Sequence, residues 1–329
     1  MTNHSELALA KMGIHVLPAI CYSGYRAGQS PILGIYPSYS EILADLSLLQ
    51  PSWRYLRVYD SGAYAQTLLE VIHREGLPFK VLLGADLSAE VNNPGCPWLA
   101  HHPDHILADN RHKNDTEIQR LIHLANRYPR QVLGLSIGNE ASVEWTDHKV
   151  PTERLVHFAR TIKAQTDLPL TFCENYVPWA NGDLDELAEH LDIISIHTYP
   201  IWESVPIEEA LAFSQKNYRA VANRFPSKAV IITEAGWTTQ TNGHAFPESS
   251  ACVELQSQYV TQLLEWSKRE GILTFLFEAF DEDWKGSSDP LEPEKHWGIY
   301  TIDRTPKQYA LERLPKASRL SNNQRVKVR

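Results

Sequence analysis

Short apolar runs recur along the chain, each followed by a longer stretch with helical spacing. The runs are "IHVLPAI" (14–20), "RYLRVY" (54–59), "FKVLLG" (79–84), "QVLGLSI" (131–137), "LPLTF" (168–172), "DIISIH" (192–197), "AVIITE" (229–234) and "LTFLFE" (273–278). Several are nearly continuous in Val, Ile and Leu, as strands covered on both faces are. The intervening stretches read as helices. "SEILADLSLL" follows the first run with Ser40 as a candidate cap. "NDTEIQRLIHLANRYP" (114–129) carries Ile118, Leu121, Ile122 and Ala125 on one face and stops at Pro129. "PTERLVHFARTIKAQT" has Pro151 in its first turn, and "QSQYVTQLLEWSKREG" ends at Gly271.

Eight strands alternating with roughly eight helices predict a single (β/α)8 TIM barrel as one catalytic domain over residues 1–329. A doubly wound open sheet is the competing arrangement, but no G-x-G-x-x-G follows an early strand. A flexible tail is expected from about residue 315, ending in the short basic "RVKVR". Two connections are long, from Ala85 to about Lys113 and from Asp281 to about Lys307. Both would emerge at the C-terminal face of the barrel, where such folds build their sites.

Composition narrows the function classes. A net charge of -9 and a pI near 5.9, with no basic stripe, argue against nucleic acid as a partner. Cys21, Cys96, Cys173 and Cys252 are widely spaced, which predicts reduced thiols rather than a disulfide framework or zinc knuckle. No membrane span and no signal peptide are read, so cytoplasmic residence is expected, with a periplasmic or secreted setting if the chain is a piece of a longer one. A monomer is expected.

The stretch "IITEAGW" (231–237) puts Glu234 at the end of an apolar strand, where a charge is costly unless something uses it. "LSIGNE" puts Asn139 and Glu140 at the end of strand four. In a closed barrel, strands four and seven face each other across the lumen, so the two carboxylates can flank one bond. A pair about 5–5.5 Å apart suits double displacement at a glycosidic bond. One group must be ionised to attack and the other protonated to release the leaving oxygen.

These residues carry a resemblance. The strand-four "NE" with a strand-seven Glu resembles the retaining (β/α)8 glycosidases. Within them the chain resembles glycoside hydrolase family 17, the β-1,3-glucan-active enzymes, especially their bacterial branch. "YRAGQSP", "YLRVYD", "KVLLGAD", "GLSIGNE", "DIISIHTYPIWE", "VIITEAGW", "FEAFDEDWK" and "HWGIY" match in order along nearly the whole chain. The resemblance implies Glu140 as acid/base and Glu234 as nucleophile. It implies Asn139 as the ligand of the sugar 2-hydroxyl and Tyr199 as a hydroxyl beside the nucleophile. Glu282 and Lys285 match polar residues of the last segment. Arg57, Tyr59 and Asp60 match the strand-two rim, where Arg57 and Asp60 also read as a structural ion pair. No cofactor and no metal are implied.

Trp202, Trp237 and Trp284 follow barrel strands on the active face and fit sugar stacking, or core packing between loops. Tyr22, Tyr25 and Tyr176 follow strands one and five and join the candidates. His197 ends strand six, either reaching a sugar or serving as a hydrogen-bonded rim histidine. "HHPDH" (101–105) offers metal ligands but reads as a solvated polar loop, and G-x-S-x-G is absent. The expected activity is hydrolysis of β-1,3-glucan or its oligosaccharides. Glucan transfer with the same two Glu, a glucan-binding barrel without catalysis, and action on another β-linked sugar are the alternatives.

Overall fold

The computed structural model describes residues 4–98 and 101–313. The tail expected from about residue 315 lies outside them. Eight parallel strands close into a barrel in chain order: β1 (Ala19–Cys21), β2 (Tyr55–Val58), β3 (Lys80–Gly84), β4 (Val132–Asn139), β5 (Leu170–Asn175), β6 (Ile193–His197), β7 (Ala229–Ala235) and β8 (Thr274–Leu276). Closure pairs Ala19 with Phe275 and Ile20 with Leu276. The (β/α)8 expectation and the parallel crossovers are borne out.

All residues of β1, β2, β5, β6, β7 and β8 are buried, which is why these segments read as apolar runs. The helix His4–Lys11 packs against the start of β7, where the Val230 amide donates to Ser5 Oγ at 3.1 Å. Across the chain, Arg304 bonds Asp45 and the Gly24 carbonyl, tying the segment after β8 to the one after β1.

Four local expectations need correction. The first strand begins at Ala19, not residue 14; Pro18 has no amide to donate, and its carbonyl receives the amides of Arg54 and Tyr55. The cap of helix Tyr39–Leu49 is Ser38, not Ser40, because Ser38 and Glu41 form a reciprocal capping box. The helix expected from residue 114 begins at Asp104, so the long connection after β3 ends ten residues sooner. Pro151 caps helix Thr152–Lys163 from just outside it. Helix Val253–Glu270 stops at Gly271 in left-handed conformation, φ 66°, as its glycine predicts.

Register shifts interrupt the ladders near the C-terminal ends of β4, β6 and β7, between Ser136 and Asn139, between Ile196 and His197, and between Ile232 and Ala235. These irregularities re-aim side chains at the barrel mouth.

Candidate active site

The mouth of the barrel holds a cleft of about 1010 Å³, lined from every strand end and by both long connections. Glu234 leaves β7 at its floor, and Glu140 follows β4. Glu140 has φ 45°, a sparsely populated conformation for a side-chain-bearing residue. Its amide donates to the Cys173 carbonyl at 2.9 Å, and the preceding Asn139 carbonyl meets His148 Nε2 at 2.8 Å. Two residues beyond Glu234 the chain needs Gly236, because a Cβ there would lie 2.0 Å from the Phe277 carbonyl oxygen.

One oxygen or ring nitrogen from each of Glu140, His197 and Glu234 lies within 4.8 Å of the others. One oxygen of each carboxylate therefore lies within 4.8 Å of one of the other, so the pair opens onto the same point of the cleft. Among the described residues this is the one such His/carboxylate trio, and "HHPDH" does not form another: the His102 backbone is clamped by Asn92, and Asp104 opens a helix. A metal at the trio would face Arg57, whose permanent charge already bears on Glu234.

Glu234 is 5 % exposed and saturated with donors. Arg57 Nη1 and the Tyr59 hydroxyl donate to Oε1, the latter at 3.0 Å, and the Tyr199 hydroxyl donates to Oε2. Burial works against its charge, but His197, Arg57 and the Tyr199 hydrogen bond outweigh it and hold the pKa at about 2. Glu234 is thus an anion at any physiological pH. Arg57 Nη2 also donates to Asn139 Oδ1, so one guanidinium orients both the anion and its neighbouring amide.

His197 is fully buried, with Nδ1 2.8 Å from Glu140 Oε1 and 3.5 Å from Glu234 Oε2. Burial opposes protonation, yet Glu234, Cys173 and Glu140 raise its pKa to about 10. Behind Glu140, buried Glu174 accepts from the Ser142 amide and hydroxyl; burial, then Glu140, raises its pKa to about 7. Burial also lifts Asp60 to about 6, although its Oδ1 accepts from the Gly62 amide.

Of the residues singled out from sequence, Tyr59, Asp60, Asn139, Glu140, Tyr176, Tyr199, Trp202, Glu234, Trp284 and Lys285 line the cleft. Four do not. Arg57 and His197 lie beneath the carboxylates and act on them rather than on a sugar, and Arg57 pairs with Glu234, not with Asp60. Trp237 is core: its ring packs on Tyr259, and Nε1 donates to the Ser250 carbonyl at 2.9 Å. Glu282 is fully buried behind Lys285, whose Nζ is 3.5 Å away and donates to both Glu278 oxygens at 3.0 Å.

Sequence reasoning missed Trp98, Trp145, Trp297, Asp86 and Glu294 in the lining. Trp297 stood within the quoted "HWGIY" and packs edge-on to Tyr199 at 5.1 Å. Trp98 and Trp145 sit on two loops laced together. Asn93 Nδ2 donates to the carbonyls of Glu144 (2.7 Å) and Thr146 (2.8 Å), and the Glu90 amide donates to the Lys149 carbonyl.

A family profile described as "BtgE/BtgC glycoside hydrolase domain" matches residues 19–298. The chain belongs to this family. It is 25 % identical over 282 residues to a protein of Schizosaccharomyces pombe named glucan 1,3-beta-glucosidase, covering 81 % of this chain and 79 % of that one. Among solved structures it is similar to an endo-laminarinase from Formosa Hel1_33_131, with a TM-score of 0.77 and 24 % identity over 94 % of this chain and 88 % of that one. It is also similar to the glycoside hydrolase family 17 beta-1,3-glucanosyltransferase of Rhizomucor miehei, with a TM-score of 0.69 and 22 % identity over 89 % and 96 %. Membership of family 17 is borne out, without separating a bacterial branch. The chain is a glycoside hydrolase, and among its described residues no helix is long and apolar enough to cross a membrane.

Proposed function

We propose that this hydrolase cleaves β-1,3-linked glucose chains by double displacement, with Glu234 as nucleophile and Glu140 as acid/base. The observation that carries the reading is an ionised Glu234 within 4.8 Å of a second carboxyl group at the floor of one cleft. The substrate follows from what the named relatives act on and from a cleft edged by Trp145, Trp202, Trp284 and Trp297.

In the first step a Glu234 oxygen bonds the anomeric carbon. The bond from that carbon to the leaving oxygen breaks, and Glu140 gives this oxygen its proton. In the second step Glu140 takes a proton from water or a sugar hydroxyl. The oxygen of that acceptor bonds the anomeric carbon and displaces Glu234. Asn139, its Oδ1 occupied by Arg57, is left with its amide hydrogens for the sugar 2-hydroxyl.

Incubation with laminaritriose through laminarihexaose tests the reading, with products followed over time. Shorter products are expected from the wild type; products longer than the substrate mark transfer as the second step. Glu234→Ala abolishes turnover and is partly rescued by azide with inversion at the anomeric carbon. A Glu234→Ala variant with near-normal turnover, or a wild type inert on every β-1,3 oligosaccharide, refutes it.

A further inference from the structure

His197 lies beneath the cleft floor, against both proposed catalytic carboxylates. It is fully buried and does not line the cleft, so it cannot touch a sugar. Its Nδ1 is 2.8 Å from Glu140 Oε1, and among the described residues no other hydrogen bond reaches the Glu140 carboxyl group. Its Nε2 is buried without a hydrogen-bond partner. The ring's one close hydrogen bond is therefore to Glu140, with Glu234 Oε2 at 3.5 Å from the same nitrogen and the Cys173 thiol beside the ring.

Charged and titratable groups face the ring from several strands. Glu140 lies after β4, Cys173 on β5 and Glu234 on β7, while Arg57 on β2 touches Glu234. An ionised carboxylate only accepts, and Nδ1 faces Glu234 at 3.5 Å as well as Glu140 at 2.8 Å; Glu234 is the anion while Glu140 is neutral, so Nδ1 keeps its hydrogen in that state too. A hydrogen donated to Oε1 makes that oxygen an acceptor in both protonation states of Glu140. When Glu140 is a neutral acid, its own proton must then sit on Oε2.

Resting on the glycosidase reading above, we propose that His197 is a positioning residue that directs the Glu140 proton to Oε2, the oxygen left free for the glycosidic bond. Without the imidazole, the carboxyl proton divides between two oxygens, and the side chain loses the one hydrogen bond that holds it among the described residues. Binding of the sugar, which touches neither His197 nor Oε1, is unaffected. The defect falls on leaving groups that need a proton.

The test uses His197→Asn, His197→Gln and His197→Ala in the full-length enzyme. The Asn amide nitrogen reaches roughly the place of Nδ1, whereas that of Gln reaches the place of Nε2. Unaltered far-ultraviolet circular dichroism and a cooperative unfolding transition confirm that each variant folds. On laminaritetraose, His197→Ala and His197→Gln are expected to lose kcat by about 10²–10³, within the range of acid/base catalysis, with KM within threefold. His197→Asn recovers at least tenfold of the Ala loss. On a 2,4-dinitrophenyl β-glucoside, whose leaving group needs no proton, the first-step kcat/KM of each of the Ala and Gln variants falls at least tenfold less than on laminaritetraose, the remaining loss being what Glu234 loses with the imidazole. Equal losses on both substrates, or Gln rescuing as well as Asn, overturn the proposal while leaving the glycosidase reading intact. A wild type inactive on both substrates overturns that reading, and the inference falls with it.

Discussion

Replacing Arg57 with Met removes the permanent charge against the proposed nucleophile while keeping most of the side-chain volume. Arg57 is 2 % exposed and Glu234 5 %, so neither is screened by water. Glu234 is lowered from an ordinary 4.5 to about 2. At about 1.4 kcal/mol per pKa unit, its partners favour the charged form by roughly 3–4 kcal/mol beyond what burial costs. Arg57 and His197 are the largest favourable contributors. Losing Arg57 therefore moves the acid limb of kcat/KM upward by at least about one pH unit.

Stability follows from the same shift. A carboxyl group with a depressed folded pKa contributes stability above its unfolded value, and loses it as pH falls from about 4.5 towards about 2. In Arg57→Met that contribution is diminished or reversed, and a buried anion left without its partner costs about 3–5 kcal/mol. Urea unfolding at pH 5 and pH 8 measures it, with the deficit larger at pH 8, where Glu234 must ionise without the guanidinium. Adding Glu234→Gln to Arg57→Met restores part of the stability, because the orphaned charge is gone. An unmoved acid limb, together with a variant within 1 kcal/mol of wild type at both pH values, refutes the reasoning.

Three further outcomes are expected. Tyr199→Phe keeps the ring against Trp297 and Phe277 but loses a hydrogen bond to an ionised group, worth about 1.5–3 kcal/mol, so kcat/KM falls about 10- to 150-fold; wild-type kinetics would remove Tyr199 from the mechanism. Gly236→Ala drives a methyl into the Phe277 carbonyl and lowers unfolding free energy by about 3 kcal/mol or more, so a variant within 1 kcal/mol of wild type would contradict the close approach of β7 and β8. Trp202→Ala removes an apolar ring from the cleft edge, worth about 1.5 kcal/mol, and raises KM for laminarihexaose about tenfold with kcat little changed; an unchanged KM would place the sugar elsewhere in the cleft.

The barrel was legible because its strands are buried on both faces, so that "AVIITE" and "DIISIH" carry their own assignment. The errors arose where a local rule competed with another. Residues 14–18 have strand composition, but Pro18 ends the ladder. Ser38 and Ser40 are equally good caps by type, and only Glu41 at the right spacing selects Ser38. Within the site, Glu140 and Glu234 were readable because a carboxylate at the end of an apolar strand is anomalous. Depth was not. Trp237 directly follows that strand yet turns into the core, while Trp145 and Trp297 reach the cleft from loops of no fixed period. The same limit hid the difference between Tyr59, which faces the cleft, and Arg57 two residues earlier, which lies under it.

The lacing of the segments after β3 and β4 bears on how this scaffold can be re-engineered. Asn93 grips the backbone on both sides of Trp145, and a Cβ at Gly95 would lie 2.8 Å from the Glu144 carbonyl. Residues 86–98 and 141–149 therefore behave as a single cassette. A donor loop grafted after β3 alone would strip three carbonyls of the amide that donates to them and unseat the segment that follows Glu140. Exchanged together, the two would carry their tryptophans across as a matched set, and with them the reach of the cleft along a glucan.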